Sequence, residues 1–263
     1  MNINDIKQYR VGELSFRLVF KDTHNNESLI PSFQVFETEL SDETLIFTLY
    51  VDDSFRPETK GNEIGQFDCG GTNHGVYQLE NGDYQILISD VNNKQCSLLQ
   101  VRQDFSEGIV ALTGNGTMRN FGLNNTIMMM YAFSSVEQAT LLMHASVVRK
   151  DGKGYLCLGK SGTGKSTHTG LWLKRIEGTG LMNDDNPVVR FVNGKTIIYG
   201  SPWSGKTPCY RNIQAPVGAF LQLKQAPYNK IRPQSTIEAF SSLLPSCSVM
   251  KWDKRIHGTI CDT

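Results

Sequence analysis

The chain contains the glycine-rich stretch Gly159-Lys160-Ser161-Gly162-Thr163-Gly164-Lys165-Ser166, on which the other predictions depend. It matches the pattern G-x-x-x-x-G-K-[ST], in which backbone N–H groups surround phosphate oxygens. Glycines allow this close approach because they carry no Cβ. The lysine would bring a positive charge to the β- and γ-phosphates, and the final serine hydroxyl would bind Mg²⁺. We therefore predict a site for ATP and Mg²⁺ at this stretch.

The segments on either side of the loop fit the same prediction. Residues 155–158 are short and apolar, as expected of a buried strand, and residues 167–174 are expected to form a helix. The positive end of that helix would then face a bound anion. A tight turn is the alternative for a glycine-rich stretch. The predicted nucleotide contacts are Gly159, Ser161, Gly162, Thr163, Gly164, Lys165, Ser166 and Thr167.

The composition is ordinary for a globular protein. Of 263 residues, 39% are hydrophobic and 20% are charged, and 26 basic side chains balance 26 acidic ones. A net charge of zero gives no indication of nucleic acid or an anionic membrane as a partner. The N-terminus lacks an apolar signal core, and no apolar run is long enough to cross a bilayer. Six scattered cysteines without a C-x-x-C pair favour reduced thiols in a cytoplasm.

Residues 1–120 are predicted to form a β-rich domain of unknown role. Alternation of polar and apolar residues predicts strands, and Asn81-Gly82 predicts a hairpin because both turn residues tolerate positive φ. Because these residues show no helical spacing of apolar side chains, we expect an antiparallel sheet. The stretch 70–75 is interpreted as a turn and Asp52-Asp53 as a solvated strand end. The predicted strands are residues 13–20, 32–36, 44–50, 76–79, 84–88, 97–102 and 108–112.

The hydrophobic pattern changes from period two to helical spacing near residue 121, which we take as the domain boundary. Residues 124–133 are apolar and rich in methionine, which is typical of adaptable core packing. Ser135-Val136-Glu137-Gln138 resembles a capping box and predicts a second helix that runs toward Met143. His144 follows. It is predicted either to be structural or to contact a metal or a phosphate.

Residues 121–263 are predicted to form the nucleotide-binding domain. An apolar segment ends in Asp184-Asp185, where one carboxylate would bind Mg²⁺ and the other would accept a proton from an incoming hydroxyl. A turn after the helix is the alternative. Asn193-Gly194 predicts a hairpin directly afterwards, so we expect a mixed sheet. Lys206 or Arg211 either contacts a transferred phosphoryl group or lies at the surface.

The end of the chain gives fewer indications. Residues 217–223 predict an apolar strand, and residues 235–244 predict a helix with Ser235 as N-cap and Glu238 as its capping-box partner. The sequence stops at Cys261-Asp262-Thr263, soon after a basic segment. We therefore also consider a C-terminal truncation that removes a closing strand or helix.

The order of His144, the loop at 159–167 and Asp184-Asp185 resembles the P-loop superfamily of HPr kinase/phosphorylase and ATP-dependent phosphoenolpyruvate carboxykinase. Met143-His144-x-Ser146 and the loop look most like the carboxykinases. The compact size and Gly200-Ser201-Pro202-Trp203 look more like the small HPr-kinase-related proteins. The resemblance covers approximately residues 140–210.

This resemblance implies a fold and a set of roles. The fold would be α+β, with a mixed-sheet core preceded by the β-rich domain. Lys165 and Ser166 would serve ATP and Mg²⁺. Asp184 and Asp185 would supply metal binding and the general base. His144 would lie near the metal or the transferred phosphate.

Three functions are compatible with these observations. The first is an ATP- and Mg²⁺-dependent kinase, related to HPr kinase, that phosphorylates a hydroxyl of a protein or small molecule. The second is a carboxykinase-type lyase that interconverts oxaloacetate and phosphoenolpyruvate. It ranks lower because residues 120–143 contain no lysine, which carboxykinases carry shortly before the histidine. The third is a non-catalytic nucleotide-binding module. The sequence indicates neither the acceptor nor the oligomeric state.

Overall fold

The structure is a computed structural model that describes residues 6–21, 25–41, 43–68, 73–205 and 207–263. The chain divides into two compact units, Met1–Ser135 and Val136–Thr263. Each unit contains a mixed β-sheet accompanied by helices, in agreement with the predicted α+β class. None of the described helices is both long enough and apolar enough to span a lipid bilayer.

Within the described residues, the first unit is built on a nine-stranded sheet. Its strands are β1 (Ile6–Val11), β2 (Leu14–Phe20), β3 (Glu37–Thr38), β4 (Leu45–Val51), β5 (Asn62–Asp68), β6 (Asn73–Gln78), β7 (Tyr84–Ser89), β8 (Gln95–Val101) and β9 (Glu107–Leu112). Their spatial order is β3-β1-β2-β4-β9-β8-β7-β6-β5. The prediction of an antiparallel sheet is wrong, because β4 pairs in parallel with both β2 and β9. Parallel pairs need a long connection between them, which local alternation does not reveal.

The helix α1 (Gly116–Ser134) packs against β4, β7, β8 and β9. A hydrogen bond of 3.2 Å joins the buried hydroxyls of Ser97 on β8 and Thr126 on α1. The helix therefore belongs to the first unit. The boundary predicted near residue 121 falls inside it, since the change of hydrophobic period marks a helix that covers the sheet and not the end of the unit.

Within its described residues, the second unit contains a seven-stranded sheet. Its strands are β10 (Thr140–Leu142), β11 (Ala145–Lys150), β12 (Lys153–Leu158), β13 (Gly180–Asp185), β14 (Val188–Val192), β15 (Lys195–Tyr199) and β16 (Gln214–Gln222). Their spatial order is β10-β14-β15-β16-β12-β11-β13. The β12–β16 pair is parallel and the other neighbours are antiparallel, so the predicted mixed sheet is confirmed. The helices are α2 (Lys165–Arg175), α3 (Thr236–Leu243) and α4 (Lys254–Asp262).

Three predictions from short local patterns are confirmed. The Asn81-Gly82 turn joins the antiparallel strands β6 and β7. Asn193 (φ 50°) and Gly194 (φ 75°) join β14 and β15. Ser235 and Glu238 form the predicted capping box of α3. Each pattern works because the turn or cap is determined by the residues that form it.

Two other local predictions are wrong. The strand predicted at residues 32–36 is a 3₁₀ helix, Pro31–Phe36, with a proline at its first position. Proline has a fixed φ that suits the first helical turn and no N–H for a strand ladder. The second helix is only a 3₁₀ turn, Val136–Gln138. Ala139, with φ 46°, ends this turn and leads into β10, since a left-handed residue cannot continue a right-handed helix.

Two further predictions for the first unit concern residues 70–75 and the pair Asp52-Asp53. The stretch 70–75, predicted to be a turn, lies partly outside the described residues, and its last residues belong to β6. Asp53 is not simply a solvated strand end. Its carboxylate pairs with Arg119 and accepts a hydrogen bond from the Leu112 N–H at 2.9 Å.

The pH dependence of stability is predicted to include a contribution from His74. This side chain is fully buried, and burial lowers its pKa from 6.5 to about 4. Between these values His74 is neutral when folded and protonated when unfolded, so stability present above pH 6.5 is lost as the pH falls toward 4. At 1.36 kcal/mol per pKa unit, the unfolding free energy of the first unit should fall by about 2 kcal/mol between pH 7 and pH 5.

Urea denaturation of wild type and His74→Gln at these two pH values tests this. The variant should lose most of that difference, whereas His257→Gln, in the second unit, should behave as wild type. An unchanged pH dependence in His74→Gln would show that the buried imidazole is not responsible.

Candidate functional site

Three strand ends bring most of the predicted site residues to one edge of the second sheet. Ala145, at the start of β11, pairs with Leu158 at the end of β12 and with Asp185 at the end of β13. His144 directly precedes Ala145. The glycine-rich loop, residues 159–166, directly follows Leu158. Residues distant in the sequence therefore converge because both neighbours of β11 run antiparallel to it.

The conformation of the glycine-rich loop depends on its glycines. Gly159, Gly162 and Gly164 have φ angles of 150°, 79° and 101°, which side-chain-bearing residues rarely adopt. A Cβ on Gly159 would also lie 3.1 Å from the Thr163 side chain. Thr163 closes the turn, because its N–H and Oγ1 donate to the Lys160 carbonyl at 3.1 Å and 2.6 Å.

The helix α2 begins directly after this turn, and its first turn has no side-chain cap. The N-cap residue is Gly164, which has no side chain to accept a hydrogen bond from the first N–H groups. Ser166 and Thr167 are exposed on this turn. The open N–H groups and the positive end of the helix favour an anion at this position.

Lys165 lies at the centre of the site and is only 9% exposed. Its Nζ donates to the Gly159 carbonyl at 2.9 Å and lies 2.7 Å from His144 Nε2. Burial lowers the pKa of Lys165, and the carboxylates of Asp185 and Asp184 partly offset this effect. A buried ammonium held in this way costs folding free energy, which is typical of functional residues.

His144 connects Lys165 to Asp185. The Nδ1 of His144 lies 3.0 Å from Asp185 Oδ1, and the two side chains are 44% and 32% exposed. A neutral imidazole with its proton on Nδ1 donates to Asp185 and accepts from Lys165. The backbone N–H of His144 is held by the Ser246 carbonyl at 2.6 Å. The structure thus forms a chain from ammonium to imidazole to carboxylate that opens toward solvent.

The two adjacent aspartates have different surroundings. Asp184 is 3% exposed, and within the described ranges its carboxylate has no hydrogen-bond donor or ion-pair partner at bonding distance. Asp185 is more open and also accepts a hydrogen bond from Asn186 Nδ2 at 2.9 Å. Both carboxylates nevertheless raise the pKa of Lys165 by their charge, so each lies near the glycine-rich loop.

Asn183 is a site residue that the sequence predictions missed. It is fully buried, and its Nδ2 donates to Ser201 Oγ at 3.0 Å and to the Trp203 carbonyl at 3.2 Å. Its Oδ1 accepts from the Asp185 N–H at 3.1 Å. Asn183 therefore attaches the segment after β15 to the acidic end of β13. The sequence did contain one indication of this role, because Asn183 is a polar residue at an inward-facing position of an apolar strand.

A second missed contact joins α2 to the sheet. The hydroxyls of Ser146 on β11 and Thr169 on α2 are both buried and lie 2.8 Å apart. Thr169 Oγ1 also contacts the Ser166 carbonyl at 3.1 Å. Ser146 pairs with Asp184 in the β11–β13 register. This contact therefore fixes the first turn of α2 relative to the strand that carries the aspartates.

Replacement of Gly205 is predicted to disturb the acidic pair. Its N–H donates to the Asp184 carbonyl at 2.6 Å, and an added Cβ would lie 2.8 Å from that oxygen and 3.3 Å from Asp185 Cβ. We expect Gly205→Ala to destabilise the protein by about 1–3 kcal/mol, as overpacking usually does. Gly170→Ala is the control, because this α2 position has open space and alanine should stabilise the helix by about 1 kcal/mol. Thermal denaturation compares the two, and a wild-type melting temperature in Gly205→Ala would refute the tight contact.

Of the two remaining predicted contacts, only Arg211 can be placed, and it is not brought to the loop. Lys206 lies outside the described residues. Arg211 lines a cavity together with Arg149 and Gly180, at the ends of β11 and β13 opposite Asp185. A charged residue in a loop gave no indication of which end of the sheet it would reach.

The donor set fits Mg²⁺ bound together with a phosphate. Across the described part of the chain, no three His, Cys, Asp or Glu side chains are grouped to hold a metal ion. Mg²⁺, however, commonly uses one or two carboxylates together with substrate phosphates and water. The hard oxygen donors of Ser166, Asp184 and Asp185 belong to the elements that meet at this edge.

Comparison with protein-family models and with curated protein sequences finds no match.

Proposed function

We propose that this protein is an ATP- and Mg²⁺-dependent phosphotransferase with an HPr kinase-like P-loop core. It would move the γ-phosphoryl group to a hydroxyl of a protein or a small molecule. The observation that carries the proposal is the chain from Lys165 Nζ through His144 to Asp185, with distances of 2.7 Å and 3.0 Å, beside the glycine-rich loop. Phosphoryl transfer requires a loop that binds the triphosphate and a base that accepts a proton.

The loop and the start of α2 bind the triphosphate in this mechanism. The N–H groups of the first turn and the ammonium of Lys165 hold the phosphate oxygens. Lys165 is already oriented by the Gly159 carbonyl and His144, so little rotamer entropy is lost on binding. ATP with Mg²⁺ supplies the phosphoryl group and neutralises its charge. Ser166 and Asp184 would hold the metal ion.

Asp185 is the better candidate for the general base. It is the more exposed of the two aspartates, so an incoming hydroxyl can reach it. His144 Nδ1 and Asn186 Nδ2 hold the two oxygens of its carboxylate, which orients it toward the acceptor. Asp185 would then take the hydroxyl proton as the acceptor oxygen bonds to the γ-phosphorus and the bond to the departing ADP oxygen breaks. Such a base contributes about 10²- to 10⁴-fold in rate.

The proposal is tested with γ-³²P-labelled ATP and Mg²⁺. The protein is incubated with pools of serine-containing peptides, sugars and polyols, and the label is followed from nucleotide to acceptor. Transfer to a hydroxyl would support the proposal. Carbon dioxide release from oxaloacetate with ATP would instead indicate the carboxykinase reaction. ATP binding without transfer or hydrolysis would indicate a non-catalytic module.

A further inference from the structure

A separate cavity lies at the opposite end of the second sheet. Its volume is about 260 Å³, and two arginines and three glycines form most of its lining. Arg149 pairs with Gly180 in the β11–β13 register, four residues along β11 from Ala145, which pairs with Asp185. At about 3.3 Å per residue, the cavity is roughly 13 Å from the acidic end of the strands. It is therefore distinct from the glycine-rich loop.

The charges of this cavity favour an anion. Arg149 and Arg211 are both exposed and line it, and the guanidinium group of neither makes a hydrogen bond or an ion pair with the described residues. Asp151 also lines the cavity, but its Oδ1 lies 3.1 Å from Lys150 Nζ, which balances its charge. Two guanidinium groups therefore remain uncompensated in one small space.

Glycines keep the walls of the cavity open. A Cβ on Gly152 or Gly180 would meet nothing within 4 Å. Gly152 and Gly178 have φ angles of 74° and 73°, a conformation that side-chain-bearing residues rarely adopt. The backbone itself thus forms part of the lining, which allows an oxyanion to approach closely.

We propose that this cavity binds a phosphate-class oxyanion, either inorganic phosphate or the phosphate group of a small ester. A guanidinium group presents a planar pair of donors that matches phosphate oxygens and binds them in bidentate fashion. The volume lies below the usual range of about 300–1,000 Å³ for drug-sized ligands, so it suits a phosphate group better than a whole nucleotide. This site does not depend on the proposed kinase activity.

Isothermal titration calorimetry tests the proposal with two probes, inorganic phosphate and glycerol 3-phosphate. Each replaces chloride at constant ionic strength, and no ATP is present. The measurements are made on Lys165→Ala protein, so that the glycine-rich loop contributes little. Arg149→Gln and Arg211→Gln should each weaken binding at least tenfold, and the double variant should show no saturable binding. Gly180→Asp, which places a carboxylate in the free space, should have the same effect at an unchanged melting temperature.

The control is Lys195→Gln, which removes an exposed cation at the β14–β15 hairpin and should leave the affinity unchanged. Tighter binding of the ester would identify a phosphate ester as the occupant, and tighter binding of phosphate would identify the free ion. The proposal is overturned if neither probe binds the Lys165→Ala protein or if binding persists in the double arginine variant. Neither failure would affect the proposed phosphotransferase, because the readout does not involve the loop.

Discussion

Replacement of Lys165 by alanine is expected to abolish phosphoryl transfer and to weaken ATP binding while leaving the fold intact. A hydrogen bond to a charged group contributes about 1.5–3 kcal/mol, which corresponds to about a 10- to 150-fold loss of affinity. The replacement should not destabilise the folded state, because burial lowers the pKa of Lys165. Its charge is therefore less stable in the folded state than in water. Lys165→Met, which keeps the stem of the side chain, should melt at or above the wild-type temperature.

Fluorescence titration with a labelled ATP analogue and thermal denaturation measure these two effects on the same samples. Lys195→Ala, at the exposed hairpin, is the matched control and should change neither quantity. Near-normal turnover in Lys165→Ala would refute the assignment of the loop. A large fall in the melting temperature of Lys165→Met would show instead that the lysine stabilises the fold.

Replacement of Asp185 by asparagine should remove chemistry more than binding. Asparagine keeps the shape and can still contact His144, but it cannot accept a proton from a hydroxyl. Turnover should fall about 10²- to 10⁴-fold, the usual contribution of a general base, with ATP affinity within a few-fold of wild type. Asp184→Asn should mainly raise the Mg²⁺ concentration needed for half-maximal turnover, because the buried Asp184 is assigned to the metal.

These two variants separate the roles of the adjacent carboxylates. Turnover is measured against Mg²⁺ concentration for each variant, with Asp262→Asn at the exposed end of α4 as the control. If turnover survives in both single variants, neither carboxylate is the general base. If the Mg²⁺ dependence shifts only in Asp185→Asn, the two roles are reversed.

The parts of the fold that the sequence predicted are those determined by neighbouring residues. The Asn81-Gly82 and Asn193-Gly194 hairpins and the Ser235–Glu238 capping box need only the local backbone, and all three are present. The parallel pairing of β4 with β2 and β9 joins segments distant in the chain. No local pattern specifies such a pairing. α4 was not predicted either, although Asp253 caps it by accepting a hydrogen bond from the Ile256 N–H.

The candidate site also has a part that the sequence predicted and a part that it did not. The loop pattern and the acidic pair could be found because their residue types and spacing are unusual in the sequence. Their proximity follows from the registers of β11, β12 and β13, which the sequence does not give. Asn183 was missed for that reason, since its role becomes visible only when Ser201 lies against it.

A crystal structure with a non-hydrolysable ATP analogue and Mg²⁺ would show directly whether the glycine-rich loop binds a triphosphate. We expect a triphosphate held by the N–H groups of residues 159–166 and by Lys165 Nζ. A metal ion should contact Ser166 and one of the two aspartates, with Asp185 facing the terminal phosphate. A nucleotide bound elsewhere, or a triphosphate in the loop with both carboxylates turned away from it, would refute the proposed phosphotransferase site.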